Sequence, residues 1–128
     1  MTQKTDDDWK ICLTSDQFRV LRQCGTEPPM SSPLNGEKRA GVYHCAGCDA
    51  PLFSSVTKYD SRSGWPSFFA PVSEIAIGQS TDYHLGYPRT EIHCAQCQGH
   101  LGHVFEDGPP PTGLRYCING ISLVFKPA

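Results

Sequence analysis

No apolar run in this 128-residue chain approaches the roughly 20 residues that a membrane-spanning helix needs. The opening segment, residues 1–8, is polar and acidic and has no apolar centre of the signal-peptide kind. It is expected to be disordered, and the rest, residues 9–128, to form a single domain in the cytoplasm. Nor is there a basic run. Eleven Lys and Arg stand against thirteen Asp and Glu, for a net charge of −2. Such a balance provides no general attraction to phosphate backbones or anionic lipid, so neither nucleic acid nor a membrane is expected as a partner. Nothing suggests an anchor or an obligate partner, and a monomer is expected. Beyond residue 41 no stretch carries a convincing helical period.

What is present in quantity is cysteine (seven), glycine (twelve) and proline (eleven). In a reducing compartment, disulfides are usually transient and catalytic. Seven thiols there suggest metal binding and redox chemistry rather than a disulfide scaffold. The glycines and prolines punctuate short strand candidates at residues 42–44, 52–53, 66–69, 90–93, 101–105, 114–118 and 121–125. Their spacing favours an antiparallel all-β core. The clearest helix is predicted over residues 14–23. Thr14 and Gln17 have capping-box spacing, Leu13 and Phe18 that of a hydrophobic staple, and Gly25 suits the C-terminal end. Phe18, Leu21 and Cys24 share one stripe, and Cys12 reads as a small core residue. Residues 28–41 read as a wrapping loop, and 107–113, with three consecutive prolines, as a stiff one. Asn119-Gly120 suits either a hairpin turn or a bulge.

Two Cys-x-x-Cys knuckles, Cys45/Cys48 and Cys94/Cys97, predict one four-thiolate site of the kind structural zinc favours. Two redox pairs are the alternative, but redox motifs of this form usually open a helix beside a βαβ unit, which the pattern lacks. A closed four-cysteine site has no open position, so the zinc is expected to hold sheet ends together rather than do chemistry. His44 and His93, preceding the knuckles, read as strand residues. The 45 residues between Cys48 and Cys94 are too many for an ordinary zinc ribbon.

In Arg115-Tyr116-Cys117-Ile118-Asn119, apolar residues alternate with a cation, a thiol and an amide. Strand alternation would pack one face and present Arg115, Cys117 and Asn119 on the other. A thiol beside a fixed positive charge is expected to have a lowered pKa and to act as a nucleophile, although a lone cysteine can also be just a small buried residue. His100 and His103, in His-Leu-Gly-His, offer imidazoles that exchange protons near neutral pH. Trp65, between Gly64 and Pro66, is a stiffly held aromatic.

Together these motifs resemble the type B methionine sulfoxide reductases. The resemblance spans residues 25–125. It rests on Gly25-Thr26-Glu27, the two knuckles, Asp49-Ala50-Pro51-Leu52-Phe53, Gly64-Trp65-Pro66-Ser67-Phe68, His100-Leu101-Gly102-His103-Val104-Phe105, Asp107-Gly108-Pro109, Pro111-Thr112-Gly113 and Arg115-Tyr116-Cys117-Ile118-Asn119. It implies two antiparallel sheets, a zinc ion, and reduction of the R epimer of methionine sulfoxide in proteins or peptides. Cys117 would attack the sulfoxide sulfur, with His103 as the acid and His100 assisting. Trp65 would receive the S-methyl group, and Arg115 and Asn119 would orient the thiolate. Many members place a second cysteine where this chain has Ser63, and a glycine where it has Arg62. A serine cannot resolve a sulfenic acid as a disulfide. Three routes stay open: another cysteine, direct reduction by thioredoxin, or a small thiol. Cys24 is favoured as the resolving thiol over Cys12. The competing reading is a zinc-ribbon-type binding module without catalysis.

Overall fold

The computed structural model describes residues 6–23, 25–28, 30–83 and 86–128, without the side chains of Asp6, Asp7 and Cys12. Cys24 therefore lies outside the described residues, as does the side chain of Cys12. The expected disorder of residues 1–8 is corrected in part. Asp6 to Asp8 open a short helix, α1 (Asp6–Cys12). Its reason is Trp9, which the sequence reading left unassigned and which is 4% exposed in the core.

The second helix, α2 (Ser15–Gln23), starts as its sequence predicts. The Thr14 amide donates to Gln17 Oε1 at 2.9 Å, and the Gln17 amide donates to Thr14 Oγ1 at 3.1 Å. This reciprocal box satisfies two of the donors that a helix start leaves free. Leu13 and Phe18 are both buried, as a staple requires, and Val20 and Leu21 complete the packed side. The Gly25 amide closes the far end by donating to the Arg19 carbonyl.

From residue 41 onward the chain is strands and short 3-10 turns. The strands are β1 (Gly41–Cys45), β2 (Pro51–Ser54), β3 (Lys58–Tyr59), β4 (Ser67–Phe68), β5 (Ile77–Asp82), β6 (Arg89–Cys94), β7 (His100–Phe105), β8 (Arg115–Ile118) and β9 (Leu123–Pro127). They form two antiparallel sheets, ordered β2-β1-β9 and β3-β4-β8-β7-β6-β5. The stiff loop at 107–113 stays out of both sheets. Strands β3 and β5 were not foreseen. The first is two residues long, and the second buries only Ile77 along an otherwise polar edge.

Tyr43, Leu52 and Phe53 of the small sheet and Phe68, Ile92, Leu101 and Ile118 of the large one have no exposed surface. Phe53 stacks on Phe68 at 4.5 Å, and Tyr43 meets the same ring edge-on at 5.1 Å. Each such side chain contributes about 1.5–3 kcal/mol by leaving water, so the apolar face of β8 is firmly held. Its other face is then fixed in direction.

Asn119-Gly120 is neither a hairpin turn nor a bulge. It carries the chain from β8 of one sheet, through a 3-10 turn (Gly120–Ser122), to β9 of the other. Asn119 makes no side-chain cap to that turn. The cap comes from the distant, 4% exposed Glu27, whose carboxylate accepts from the Gly120 and Ile121 amides at 2.7 and 2.9 Å. A buried carboxylate is tolerable when backbone donors replace its water.

Candidate active site

Strand alternation places Arg115, Cys117 and Asn119 on the wall of one hollow of about 260 Å³, with Thr26, Trp65, Arg89, Gly102, His103 and Phe105. Depressions of about 740 and 850 Å³ lie elsewhere, but neither wall carries a thiol or an imidazole. Among the described residues, the chemistry collects in the small hollow.

Its centre is the pair His103 and Cys117, direct partners across β7 and β8. Side chains at opposed positions leave on the same face with Cβ atoms about 4.5–5.5 Å apart. Gly102, beside His103, permits this approach, because a Cβ there would strike the carbonyl of Cys117.

His103 Nε2 is hydrogen-bonded to Asp82 Oδ2, on the edge strand β5. Asp82 also meets its partner across the hairpin, Arg89, at 3.4 Å. Burial lowers the His103 pKa, and the bond to Asp82 only partly offsets it. The ring is therefore neutral at neutral pH. A neutral ring that donates from Nε2 to a carboxylate keeps an unprotonated Nδ1.

The expectation of a lowered Cys117 pKa is corrected. Burial pushes the thiol up, and hydrogen bonding with Ser63 and the charge of Arg115 do not fully reverse it. Arg115 is itself engaged. Its Nε and Nη2 donate to Asp107 at 2.8 and 3.1 Å, and its guanidinium lies 4.4 Å from the Phe105 ring centre. A cation already paired with a carboxylate projects less field onto the sulfur.

Trp65 stands on the same wall, and its indole N–H donates to the Glu27 carbonyl at 2.9 Å. The Glu27 amide donates to Asn119 Oδ1 at 2.9 Å, and Asn119 Nδ2 donates to the Leu101 carbonyl at 3.0 Å. Asn119 thus acts on the site through the backbone it fixes. Glu27 joins the indole, the amide and the sheet-crossing turn, a role its motif did not disclose.

His100 is placed differently from its neighbour. It is 3% exposed and does not line the hollow. Its Nδ1 is bonded to Glu91 Oε2 at 2.7 Å, and its ring meets His103 edge-on at 5.6 Å. Burial pushes Glu91 up, but hydrogen bonds from His100, Ser80 and His93 outweigh it and hold the carboxyl at about 2. Neither Glu91 nor Asp82 was singled out in the sequence, because both sit on strands with no pattern that marks them.

The Ser63 hydroxyl lies 3.6 Å from the Cys117 sulfur. The preceding Arg62 has φ 60°, in the left-handed region that favours glycine.

The four knuckle sulfurs lie within 4.8 Å of one another. Cys45 to Cys97 is 3.7 Å and Cys48 to Cys94 is 3.5 Å. Four thiolates at about 2.3 Å from a tetrahedral zinc would stand about 3.8 Å apart, so the donor set fits. Packed this closely, the thiols compete for ionisation. Hydrogen bonds from Cys45 and Cys94 hold Cys97 down to about 4, while bonds with Cys94 and Cys97 push Cys45 far above the thiol range. A cation among them would let all four ionise. Cys45 ends β1 of the small sheet and Cys94 ends β6 of the large one, so the cluster spans both sheets. His44 and His93 are strand residues, as read.

Known proteins resemble this chain over nearly its whole length. A family model described as the SelR domain matches residues 13–127. A Pseudomonas putida (strain W619) protein named peptide methionine sulfoxide reductase MsrB is 56% identical over 124 residues, covering 97% of this chain and 93% of its own length. The protein of that name from Agrobacterium fabrum is 56% identical over 124 residues, covering 97% and 92%. That from Leptospira interrogans is 55% identical over 123 residues, covering 96% and 94%.

Proposed function

The chain belongs to the MsrB family of peptide methionine sulfoxide reductases, and from that premise we propose that Cys117 is its nucleophile and His103 its proton-transfer group. The protein is a peptide-methionine (R)-S-oxide reductase, which reverses an oxidative lesion repaired by one enzyme per epimer. The observation that carries the assignment is the pairing of His103 with Cys117 across β7 and β8 inside one hollow.

The resting pair is a neutral thiol and a neutral imidazole. His103 Nδ1 takes the thiol proton as the sulfoxide enters, helped by the Asp82 carboxylate that steadies the resulting cation. The Cys117 sulfur attacks the sulfoxide sulfur, and His103 returns the proton to the sulfoxide oxygen. That oxygen leaves the substrate and ends on Cys117. Substrate sulfur is reduced by two electrons, Cys117 is oxidised by two to a sulfenic acid, and methionine departs. Trp65 offers the S-methyl group a sulfur–aromatic contact of about 0.3–1.5 kcal/mol. Arg115 and Asn119 frame the nucleophile. His100, behind His103 and bonded to Glu91, assists from inside.

Regeneration is assigned to Cys24. Its thiol would displace water from the sulfenic acid, and thioredoxin would reduce the resulting disulfide. Thr26, two residues along, lines the same hollow as Cys117, and this supports the assignment. The four cysteines Cys45, Cys48, Cys94 and Cys97 would hold zinc, which when bound supplies only a cross-link. No helix among the described residues is long and apolar enough to cross a membrane, and a cytoplasmic monomer remains the working assignment.

Racemic methionine sulfoxide peptide with dithiothreitol tests the activity. Half should be consumed, leaving the S epimer, and Cys117→Ser should abolish turnover. Mass mapping after one turnover should find Cys24 joined to Cys117. A Cys24→Ser protein that still forms an internal Cys117 disulfide would overturn the resolver.

A further inference from the structure

We propose that Ser63 is a catalytic residue whose hydroxyl donates a hydrogen bond to the Cys117 sulfur as negative charge gathers there. The inference rests on Cys117 as nucleophile and assigns a function to the position at which this chain lacks a thiol.

Three hydroxyls are arranged behind the sulfur. Ser67, 1% exposed, is the direct partner of Cys117 across β4 and β8. Its hydroxyl donates to the Trp65 carbonyl at 3.1 Å, so its oxygen can accept from Ser61, 2.6 Å away. With the Ser61 proton committed to Ser67, the oxygen of Ser61 is an acceptor, and the Ser63 amide already donates to it at 3.3 Å. One hydroxyl proton is left to place, that of Ser63. Ser63 Oγ lies 2.7 Å from Ser61 Oγ, 3.4 Å from the Trp65 carbonyl and 3.6 Å from Cys117 Sγ.

A hydroxyl is a rotor, able to accept or donate as its neighbour requires. While Cys117 carries its proton, the thiol can donate to Ser63 Oγ and Ser63 can donate to Ser61. When the proton leaves for His103, the Ser63 hydroxyl turns and donates to the thiolate. The Trp65 amide donates to Ser63 Oγ at 3.4 Å and keeps the oxygen in place through the turn. Burial raises the thiol's pKa, and of the groups opposing it Ser63 comes first, ahead of Arg115 and Ser67. The left-handed Arg62, its amide bonded to Asp60 at 2.9 Å, brings the hydroxyl to this position. No atom is transferred to or from Ser63.

The test uses the full chain with its metal and measures one turnover of a methionine R-sulfoxide peptide, together with the pH dependence of Cys117 alkylation by iodoacetamide, mapped by mass. Loss of a hydrogen bond to a charged atom changes a rate about ten- to a hundred-fold. Ser63→Ala should slow the single turnover by at least about tenfold and move the alkylation midpoint to higher pH. Ser63→Thr, which restores the hydroxyl, should return within about threefold of the parent. Equal rates and midpoints for Ser63→Ala and the parent would overturn the proposal. So would a Ser63→Thr protein as slow as Ser63→Ala, since that would mean packing and not donation. Turnover that survives Cys117→Ala would instead remove the nucleophile assignment, whatever Ser63 does.

Discussion

The carboxylate of Asp82 on β5 holds Nε2 of His103 on β7, two strands away, so the edge of the large sheet sets the orientation of the ring at its centre. Replacing Asp82 by Asn should release the ring and leave the tautomer unset. A loss of about a hundredfold in kcat/KM is expected, the lower end of the roughly 10²–10⁴-fold that a general acid–base contribution supplies. Asp82 raises the His103 pKa against the effect of burial. Its removal should therefore lower that pKa further and move the acid limb of the rate profile to lower pH. Steady-state kinetics across pH 5–8 would check both; an acid limb that moved upward would contradict the assignment.

Cys117 gives a second pH prediction. Burial sets its pKa above the ordinary thiol value, so in the free protein it is protonated at neutral pH. Alkylation of Cys117 should accelerate with rising pH, with a midpoint above about 8.5, the reference for a free cysteine. Mapped iodoacetamide labelling measures this. A plateau already reached at pH 7 would mean that the field of Arg115 dominates after all.

Glu27 predicts a stability effect with a functional component. Its carboxylate receives two backbone amides, and hydrogen bonds to charged groups contribute about 1.5–3 kcal/mol each. Glu27→Gln keeps one acceptor atom and should cost about 2 kcal/mol; Glu27→Ala should cost about 3 kcal/mol or more. Urea unfolding would measure both. Because Trp65 hangs from the Glu27 carbonyl, KM should rise more than kcat falls in the glutamine variant, and a purely structural loss would leave KM alone.

Metal removal should damage the fold before the chemistry. The four thiols join the end of β1 to the end of β6, and apparent binding energies of structural zinc, about 10–16 kcal/mol, equal or exceed a domain's whole stability of about 5–15 kcal/mol. Elemental analysis should find one zinc per chain. Chelation, or Cys48→Ser, should lower Tm steeply or abolish the cooperative transition.

The parts of this molecule legible in its sequence are those with short-range signals. Thr14 and Gln17 sit three residues apart and bond as their spacing predicts. Arg115, Cys117 and Asn119 alternate with core residues and share the hollow. The knuckle cysteines converge as two Cys-x-x-Cys pairs should. What was not legible depends on distance in the chain. Asp82 meets His103 from 21 positions away, and Glu27 meets Gly120 from 93. Strand β5 lacks alternation because it is a polar edge, and only pairing with β6 makes it a strand. The direction of the Cys117 shift followed from burial, which one strand's sequence does not disclose, and from Asp107 occupying the guanidinium.

Arg22 donates to the Cys97 carbonyl at 2.7 Å, and Glu27 is fastened by four hydrogen bonds, through its amide to Asn119, its carbonyl to Trp65 and its carboxylate to Gly120 and Ile121. Between these two anchors lie residues 23–26, a tether that reaches at most about 3.3–3.6 Å per residue. The reach of this segment is thereby capped. Under the proposed assignment of recycling to this segment, mutations that stiffen the end of α2 should slow recycling and leave the first reductive event untouched.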